Sequence, residues 1–372
     1  MNLQNKLVLA TIGVLLACGA AGCREDERAP ERVLLPEGDG VFVLNEGKWN
    51  DNNASLDFWS ERTGEYARGV FRAANPGAVL GLGDLGNDAG IHGGKLYVVV
   101  NGSNKMEVLD VHTGARAGTV PLVQPRYVAF AGGFAYVSAY GDSGNGLVAE
   151  VDTATLRVTR TVEVGRQPEE MAVVNGKLFV ANSGGLAGSD GRYDYERTVS
   201  VIELDGFRRS GDIDVAINLH RLRADGDGNL YVSSRGDYAG VAPGLFVVDA
   251  GGVVVDSFDI PVSSLAIAGE RAYVIGARYG ASGGAEYSYH AIDTRRRALL
   301  DEGFVREGEG QGIVAPYCVE VHPVTGDIYV TDARSFDVAG RITRFSAAGV
   351  RMEERVTGVI PTRVVFRTLT AR

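Results

Sequence analysis

The chain has 372 residues and a formal net charge of −10, with 37 Lys and Arg against 47 Asp and Glu. This acidic balance argues against a nucleic-acid-binding protein and against a peripheral protein of anionic membranes. The length exceeds the roughly 250–300 residues that a single hydrophobic core usually reaches. Because the chain also contains 51 glycines, a repeat architecture is the first expectation.

The N-terminus has the features of an export signal. Lys6 precedes the apolar run Leu7–Ala17, which is too short to span a bilayer as a helix. The sequence Ala-Ala-Gly-Cys that ends at Cys23 resembles the lipobox of bacterial lipoproteins, in which the Cys is acylated after cleavage. Cys18 is a competing site, but the charged residues directly after Cys23 favour the later one and resemble the surface-export signal of Bacteroidetes lipoproteins.

We therefore predict a lipoprotein signal peptide over residues 1–22 and an acylated, charged, flexible tether over residues 23–39. The expected location is the cell surface, at the outer membrane, with the membrane contacted only through the lipid on Cys23. Cys318 lies in an apolar stretch and is expected to be a buried, inert thiol.

Short strand-like runs recur along the rest of the chain. Each copy has a glycine-containing turn before an aromatic residue and a valine, and the copies centre on Phe42, Tyr97, Tyr136, Phe179, Tyr231, Tyr273 and Tyr329. These aromatic residues are spaced at roughly 40 to 55 residues, which is typical of propeller blades. Apolar strands precede most copies, and strands ending in Asp, Thr or Gly turns follow them. The pattern predicts an all-β fold, a seven-bladed β-propeller over residues 40–372.

The two ends of the chain indicate how the ring closes. Pro361–Phe366 repeats the inner-strand pattern of Pro125–Phe130, but no aromatic-valine strand follows it. At the other end, the first blade begins at Val41–Leu44 without an inner strand before it. We predict that the C-terminal strand pairs with the first blade, which would hide both sheet edges.

The segment Val43–Phe58 carries a family resemblance. Its sequence, VLNEGKWNDNNASLDF, resembles the opening blade of the YncE-like surface β-propeller lipoproteins of Bacteroidetes, and the resemblance extends over residues 40 to 366. That group includes the BtuG-type cobalamin-binding lipoproteins, which sit on a TonB-dependent outer-membrane transporter and capture corrinoid for it. The motif is characteristic of the wider group rather than of cobalamin binding.

One face of the predicted propeller is the candidate binding surface. The loops between the second and third strands of each blade are long and share a face with the connections between blades, whereas the opposite face has short turns. Tyr, Trp and Arg on that face suit a large, flat, partly polar ligand. The predicted ligand-binding residues are Trp49, Arg126, Tyr127, Tyr140, Glu169, His220, Arg235, Tyr238, Arg278, Tyr279, Tyr287, Tyr317, Arg334 and Arg363.

Sequence motifs for catalysis are absent, so we expect no enzyme activity and predict no catalytic residues. The five histidines are not spaced as metal pairs, and no metal site or cofactor is predicted. His220 is interpreted as a hydrogen-bonding residue at the channel mouth rather than as a metal ligand. Loops around Asp142 and Asp237 could hold Ca²⁺, but they lack the spacing of a known calcium loop.

Three classes of function stay open. The first is a cell-surface protein that captures a large small molecule, with cobalamin or another corrinoid as the leading ligand, and passes it to a TonB-dependent transporter. The second is a surface scaffold that binds glycan or protein. The third is a propeller enzyme of the lactonase or lyase type.

The anchoring prediction can be tested directly. Cys23→Ser should release the protein from membranes, because the acyl chains on one Cys supply the membrane affinity through buried CH₂ groups. Membrane fractionation checks this, with Cys18→Ser as the matched control that should leave pelleting unchanged. The opposite result for the two variants would assign the acylated residue to Cys18.

Overall fold

The computed structural model describes residues 35–142, 144–185, 193–279, 284–306 and 308–368. All of these belong to one compact unit. The predicted signal peptide and the acylated Cys23 lie outside the described residues, so both stay predictions.

The described chain is almost entirely β-structure. Its strands, in chain order, are β1 (Gly40–Asn45), β2 (Ser55–Ser60), β3 (Tyr66–Ala67), β4 (Gly86–His92), β5 (Lys95–Val100), β6 (Lys105–Asp110), β7 (Arg116–Pro121), β8 (Pro125–Ala131), β9 (Phe134–Ala139), β10 (Leu147–Asp152), β11 (Arg157–Glu163), β12 (Pro168–Val174), β13 (Lys177–Asn182), β14 (Thr198–Glu203), β15 (Arg208–Asp214), β16 (Leu219–Ala224), β17 (Leu230–Ser234), β18 (Gly244–Val248), β19 (Val254–Phe258), β20 (Ser264–Ala268), β21 (Arg271–Tyr279), β22 (Ala285–Asp293), β23 (Ala298–Leu299), β24 (Pro316–Val321), β25 (Ile328–Asp332), β26 (Ala339–Phe345), β27 (Arg351–Val359) and β28 (Pro361–Arg367).

These strands form seven four-stranded antiparallel sheets, which are the blades of a propeller. Blades 2 to 7 each use four consecutive strands, beginning with β4, β8, β12, β16, β20 and β24 as the innermost strand. Blade 1 has the order β28-β1-β2-β3. The innermost strands contact one another in ring order, from β28 through β4 to β24 and back to β28. The seven-bladed propeller and its closure by the C-terminal strand are therefore confirmed.

Burial follows the position of a strand in its blade. The aromatic-valine strands are second in each blade and are covered on both faces by neighbouring blades, so β5 is buried at every residue after Lys95. Most outermost strands face solvent, and in β11 and β15 every residue but one is exposed. Apolar residues concentrate in the second and third strands because those strands supply the contacts between blades.

Blade closure joins the two ends of the described chain. β28 pairs with β1 in antiparallel register, with Val364 opposite Val43 and Arg367 opposite Gly40. Packing continues across the junction, where Cys318 and other residues of blade 7 contact blade 1. Burial raises the pKa of the Cys318 thiol to about 11, which makes the thiol unreactive at neutral pH.

One arginine binds the closing strand to the N-terminal segment. The buried Arg367 side chain donates from Nε to the Gly38 carbonyl at 2.9 Å, and it also donates to the carbonyls of Pro36 and Val111. Its guanidinium carbon lies 4.2 Å from the ring centre of Phe58. Residues 35–38 are thereby fixed on the face of short turns, which is opposite to the long loops.

Between β3 and β4 the chain forms a short helix, α1 (Val70–Ala74), which the sequence pattern does not predict. The helix follows Gly69, whose φ of 64° suits glycine. Val70 and Phe71 are buried in the core that blades 1 and 2 share. The segment after the helix is held against the first long loop, because Asn52 Nδ2 donates to the Leu80 carbonyl at 2.9 Å.

A β-bulge recurs where the inner strands begin. The pairing register shifts between Gly86 and Asp88, Pro125 and Val128, Pro168 and Met171, Leu219 and Leu222, and Pro316 and Val319. A bulge interrupts the alternation of side chains, so neighbouring residues no longer face opposite sides in strict order. In these strands the interruption lies at the end of the channel that carries the long loops.

Side chains satisfy the backbone N–H groups that the bulges free. In three blades one N–H donates to a hydroxyl of the adjacent strand: Tyr127 to Ser138 at 3.1 Å, Arg221 to Ser233 at 2.8 Å and Cys318 to Thr331 at 2.9 Å. The next N–H donates to a side chain of the preceding blade: Val128 to Asp88 at 3.0 Å, Leu222 to Glu170 at 3.1 Å and Val319 to Ser264 at 3.0 Å. Each of these three bulges is thus hydrogen-bonded within its blade and to the preceding blade.

Ring closure predicts a large stability loss on truncation. Deleting residues 358–372 removes β28 together with the last two residues of β27 and exposes the edges of β1 and of the ring, so the melting temperature should fall by roughly 10 °C or more. Thermal unfolding followed by circular dichroism measures the change. A control that deletes only residues 369–372 keeps all of β28 and should melt with the parent. Equal melting of the long truncation and the parent would contradict the role of β28.

Candidate functional site

A cavity of about 650 Å³ opens at the end of the channel that carries the long loops, and we call it the channel-mouth pocket. Six of the seven blades contribute to it. Its lining residues are Glu46, Asn87, Arg126, Tyr127, His220, Arg221, Arg235, Tyr238, Ala239, Val241, Ala242, Pro243, Pro261, Val262, Ser263, Ala277, Arg278, Tyr317 and Thr362.

One wall of the pocket is an ion-paired group around Glu169. Arg126 donates to Glu169 Oε2 from Nη2 at 2.8 Å and from Nε at 3.2 Å. Tyr140 Oη donates to Glu169 Oε1 at 3.0 Å, and Arg235 Nη1 approaches the same oxygen at 3.7 Å. Burial and the Glu169 charge raise the pKa of Tyr140. Glu169, only 2% exposed, therefore serves two arginines at once.

A second wall connects Tyr127, His220 and Arg221. Arg221 Nη1 donates to Tyr127 Oη at 3.3 Å, and Tyr127 Oη lies 3.0 Å from His220 Nε2. Arg221 can only donate, so Tyr127 accepts from it and can donate its own proton to Nε2. That arrangement leaves the imidazole proton on Nδ1, which is buried and has no hydrogen-bond partner.

The same surroundings keep His220 neutral. Burial lowers the pKa of His220 well below its usual value of 6.5, and the nearby charges of Arg235, Arg221 and Arg126 lower it further. An imidazole in this place acts as a neutral hydrogen-bonding group at neutral pH.

Glu46 lines the pocket from the loop after β1. Tyr317 Oη donates to Glu46 Oε2 at 3.1 Å. Burial raises the pKa of Glu46, although the Tyr317 hydrogen bond and the charges of Arg126 and Arg221 oppose the shift.

Further from the mouth, the inner strands carry a separate ion-pair network. Arg223 Nη2 lies 2.9 Å from Glu170 Oε1 and 3.1 Å from Glu320 Oε1. Arg363 pairs with the same Glu320, and its Nε lies 3.0 Å from Asp88 Oδ1. These five charged side chains are bonded mainly to one another and to the bulges described above.

Tyrosines form part of the rim between blades 4 and 5. Tyr193 and Tyr195 stack in parallel with ring centres 5.5 Å apart. Tyr238 lines the pocket with 68% of its surface exposed. Burial raises the pKa of Tyr195, and the charges of Tyr238 and Tyr193 add to the shift. Exposed aromatic faces beside a polar pocket are suited to flat or sugar-like groups.

Comparison with protein families gives the identity of the domain. A family profile described as "Domain of unknown function (DUF5074)" matches residues 39–355. The chain belongs to the DUF5074 family. None of the curated protein sequences matches this DUF5074 chain.

Solved structures similar to this DUF5074 protein are propellers of low sequence identity. A quinoprotein alcohol dehydrogenase-like protein from Bacteroides thetaiotaomicron is 15% identical, with 88% of this chain and 78% of that chain covered at a TM-score of 0.62. A candidate 6-phosphogluconolactonase from Bacteroides uniformis is 12% identical, with 89% and 100% covered at 0.61. Apo AztD from Citrobacter koseri is 12% identical, with 88% and 98% covered at 0.53. At these identities the likeness is one of fold.

The structure brings half of the predicted ligand-binding residues into the lining of the DUF5074 pocket. These are Arg126, Tyr127, His220, Arg235, Tyr238, Arg278 and Tyr317. Tyr140 and Glu169 lie behind Arg126, and Arg363 belongs to the network further along the channel.

The remaining four predicted residues belong neither to the lining nor to the groups bonded behind it. Trp49 is 65% exposed on the first long loop. Tyr287 packs against the buried cluster of Ala315, Ala333 and Ile360 and lines a separate cavity. Arg334 lies on the loop after β25 with a φ of 54°, and Tyr279 is described only as the last backbone position of β21.

The lining also includes Glu46, Asn87 and Arg221, which are not among the residues predicted from the sequence. Arg221 follows the predicted His220, and strict strand alternation would have turned it away from the pocket.

Within the described residues, no group of three or more His, Cys, Asp or Glu is arranged to hold a metal ion. No helix in the described part of the chain is long and apolar enough to cross a membrane.

The neutral state of His220 has a consequence for acid stability. Below pH 6.5 the unfolded chain takes up a proton at this residue that the native protein does not, so native stability falls as pH falls. Between pH 7 and pH 5.5 the wild type should lose about 1 kcal/mol more unfolding free energy than His220→Gln, which cannot titrate. Urea unfolding at the two pH values measures this. Equal losses in both proteins would mean that His220 takes up its proton in the native state as readily as in the unfolded chain.

Proposed function

We propose that this DUF5074 protein captures a large small-molecule ligand at the channel-mouth pocket and does no chemistry on it. The observation that carries the proposal is the pocket itself, a cavity of about 650 Å³ lined from six blades. A ligand that contacts so many blades must be large, since one small group would touch only a few of them.

The groups in the pocket favour binding over catalysis. Arginines cannot act as general bases near neutral pH, and the four in the lining outnumber every other charged residue type there. His220 is engaged with Tyr127, and its free Nδ1 is buried away from solvent. Hydrogen-bond donors of fixed geometry beside exposed tyrosines are typical of recognition sites.

A corrinoid is the leading ligand. It combines a broad ring with peripheral amides, which arginine forks and a tyrosine rim can contact together. It is too large for the channel, so it would lie across the mouth and reach the rim formed by Tyr238 and the Tyr193–Tyr195 pair. The resemblance of Val43–Phe58 to surface propeller lipoproteins supports the same assignment and adds delivery to a TonB-dependent transporter.

The exposed tyrosine stack also favours a second candidate, a surface glycan-binding scaffold.

Titration calorimetry with cyanocobalamin tests the proposal. Tyr238→Ala should weaken binding by about 2 kcal/mol, or roughly thirtyfold in Kd, because an exposed aromatic anchor is removed without disturbing a core. Met352→Ala is the matched control, an exposed apolar residue on the outer strand β27 that should leave Kd unchanged. Absence of heat with cyanocobalamin, together with binding to an oligosaccharide that Tyr238→Ala weakens, would assign the pocket to the glycan scaffold.

A further inference from the structure

The charged residues at the channel mouth are not balanced. Four arginines line the pocket, namely Arg126, Arg221, Arg235 and Arg278. Two carboxylates face them, Glu46 in the lining and Glu169 behind it. His220 adds no charge, since burial and the surrounding arginines hold its pKa low. The mouth therefore carries an excess of positive charge in a protein whose net charge is −10.

Two of the four arginines lack an ionic partner. Arg221 donates to the Ser263 carbonyl at 3.1 Å and to Tyr127 Oη, and both acceptors are neutral. Arg278 is exposed, and its cross-strand neighbour Glu286 does not come within ion-pair distance. Among the described residues, no carboxylate pairs with either guanidinium.

A third arginine is only weakly neutralised. Arg235 approaches Glu169 at 3.7 Å, but that carboxylate already accepts two hydrogen bonds from Arg126 and one from Tyr140. The shared Glu169 cannot offer Arg235 the close, two-point contact that a guanidinium makes with a carboxylate. Arg235 keeps donors for a group that enters the pocket.

The charge balance reverses further along the channel. Arg223 and Arg363 meet three carboxylates there, Asp88, Glu170 and Glu320. An anion would be attracted to the mouth and repelled by the channel beyond it. The arrangement therefore holds an anionic group in place and does not conduct it through the ring.

We infer that the channel-mouth pocket binds an anionic group of its ligand, a carboxylate or a phosphate ester, on Arg221, Arg235 and Arg278. This inference rests on the proposed capture function and adds the charge class of the ligand. Guanidinium forks suit both oxyanions because each can accept two parallel hydrogen bonds. Glu46 lies in the same lining and opposes the bound anion, so it tunes the affinity in the opposite direction to the arginines.

Pyrophosphate and citrate serve as probes of the two oxyanion classes. We expect each probe to bind the purified protein by calorimetry at low ionic strength, with an affinity that falls as NaCl is added. Arg278→Gln should weaken binding about tenfold, and Glu46→Gln should strengthen it severalfold. Arg157→Gln, on the exposed outer strand β11, is the matched control that should leave Kd unchanged.

The opposite signs of the two variants separate recognition from folding, since damage to the fold would weaken binding in both. Arg221→Gln adds a third variant, with its melting temperature measured alongside because the side chain is hydrogen-bonded in the wall. No binding of either probe, or equal weakening by Arg278→Gln and Arg157→Gln, would overturn the inference. A preference for pyrophosphate over citrate, or the reverse, would identify the oxyanion.

Cyanocobalamin separates this inference from the proposed function. Binding of pyrophosphate or citrate without any heat from cyanocobalamin would keep the anion site and reject the corrinoid. Cyanocobalamin binding that Arg278→Gln and Glu46→Gln both leave unchanged would keep capture and reject the anion site. Cyanocobalamin carries a phosphodiester that cobinamide lacks, so a Glu46→Gln gain confined to cyanocobalamin would support both.

Discussion

The β-bulge at the start of the inner strands is the constraint on which the ring and its pocket both depend. Each bulge leaves backbone N–H groups that the strand ladder cannot satisfy. Hydroxyls of the adjacent strand, such as Ser138 and Ser233, accept one of them, and Asp88 and Glu170 accept another across the blade junction. The groups that hold neighbouring blades together are therefore the same groups that position side chains at the mouth.

Buried charge in the channel follows from that arrangement. Asp88 and Glu170 must be acidic or polar to accept from backbone N–H groups, and their burial then calls for arginines such as Arg223 and Arg363. Arg223 and Arg363 are paired with these carboxylates further along the channel. Arg221, Arg235 and Arg278 at the mouth are additional to this network, and none of the three has a close carboxylate partner among the described residues.

More of the fold than of the candidate site could be predicted from the sequence. The aromatic-valine repeat and the unpaired C-terminal pattern Pro361–Phe366 were sufficient to predict seven blades and their closure, because both patterns reflect burial between blades. The site depends on the bulges, which turn consecutive residues such as His220 and Arg221 toward one pocket. A prediction that assumes side chains alternate between the two faces of a strand therefore fails there. A signal was present, since Ser or Thr follows the aromatic-valine pair in blades 3, 5 and 7. Trp49 lies outside the lining on a loop that is tied to Leu80, in a segment without a repeat pattern.

The position of Arg367 also has a mechanical meaning. The chain enters the ring at β1, which is an interior strand between β28 and β2. Residues 35–38 are held to β28 and blade 2 by the Arg367 guanidinium, to blade 1 by Arg62, and to the core by the buried Leu35. Tension on the N-terminal segment would act along β1 and load its hydrogen bonds to β28 and to β2 together, in shear. Tension on an edge strand would break that strand's hydrogen bonds one at a time. Residues 35–38 lie on the face of short turns, and the channel mouth lies on the opposite face. Tension on the N-terminal segment would therefore strain the ring without blocking the pocket.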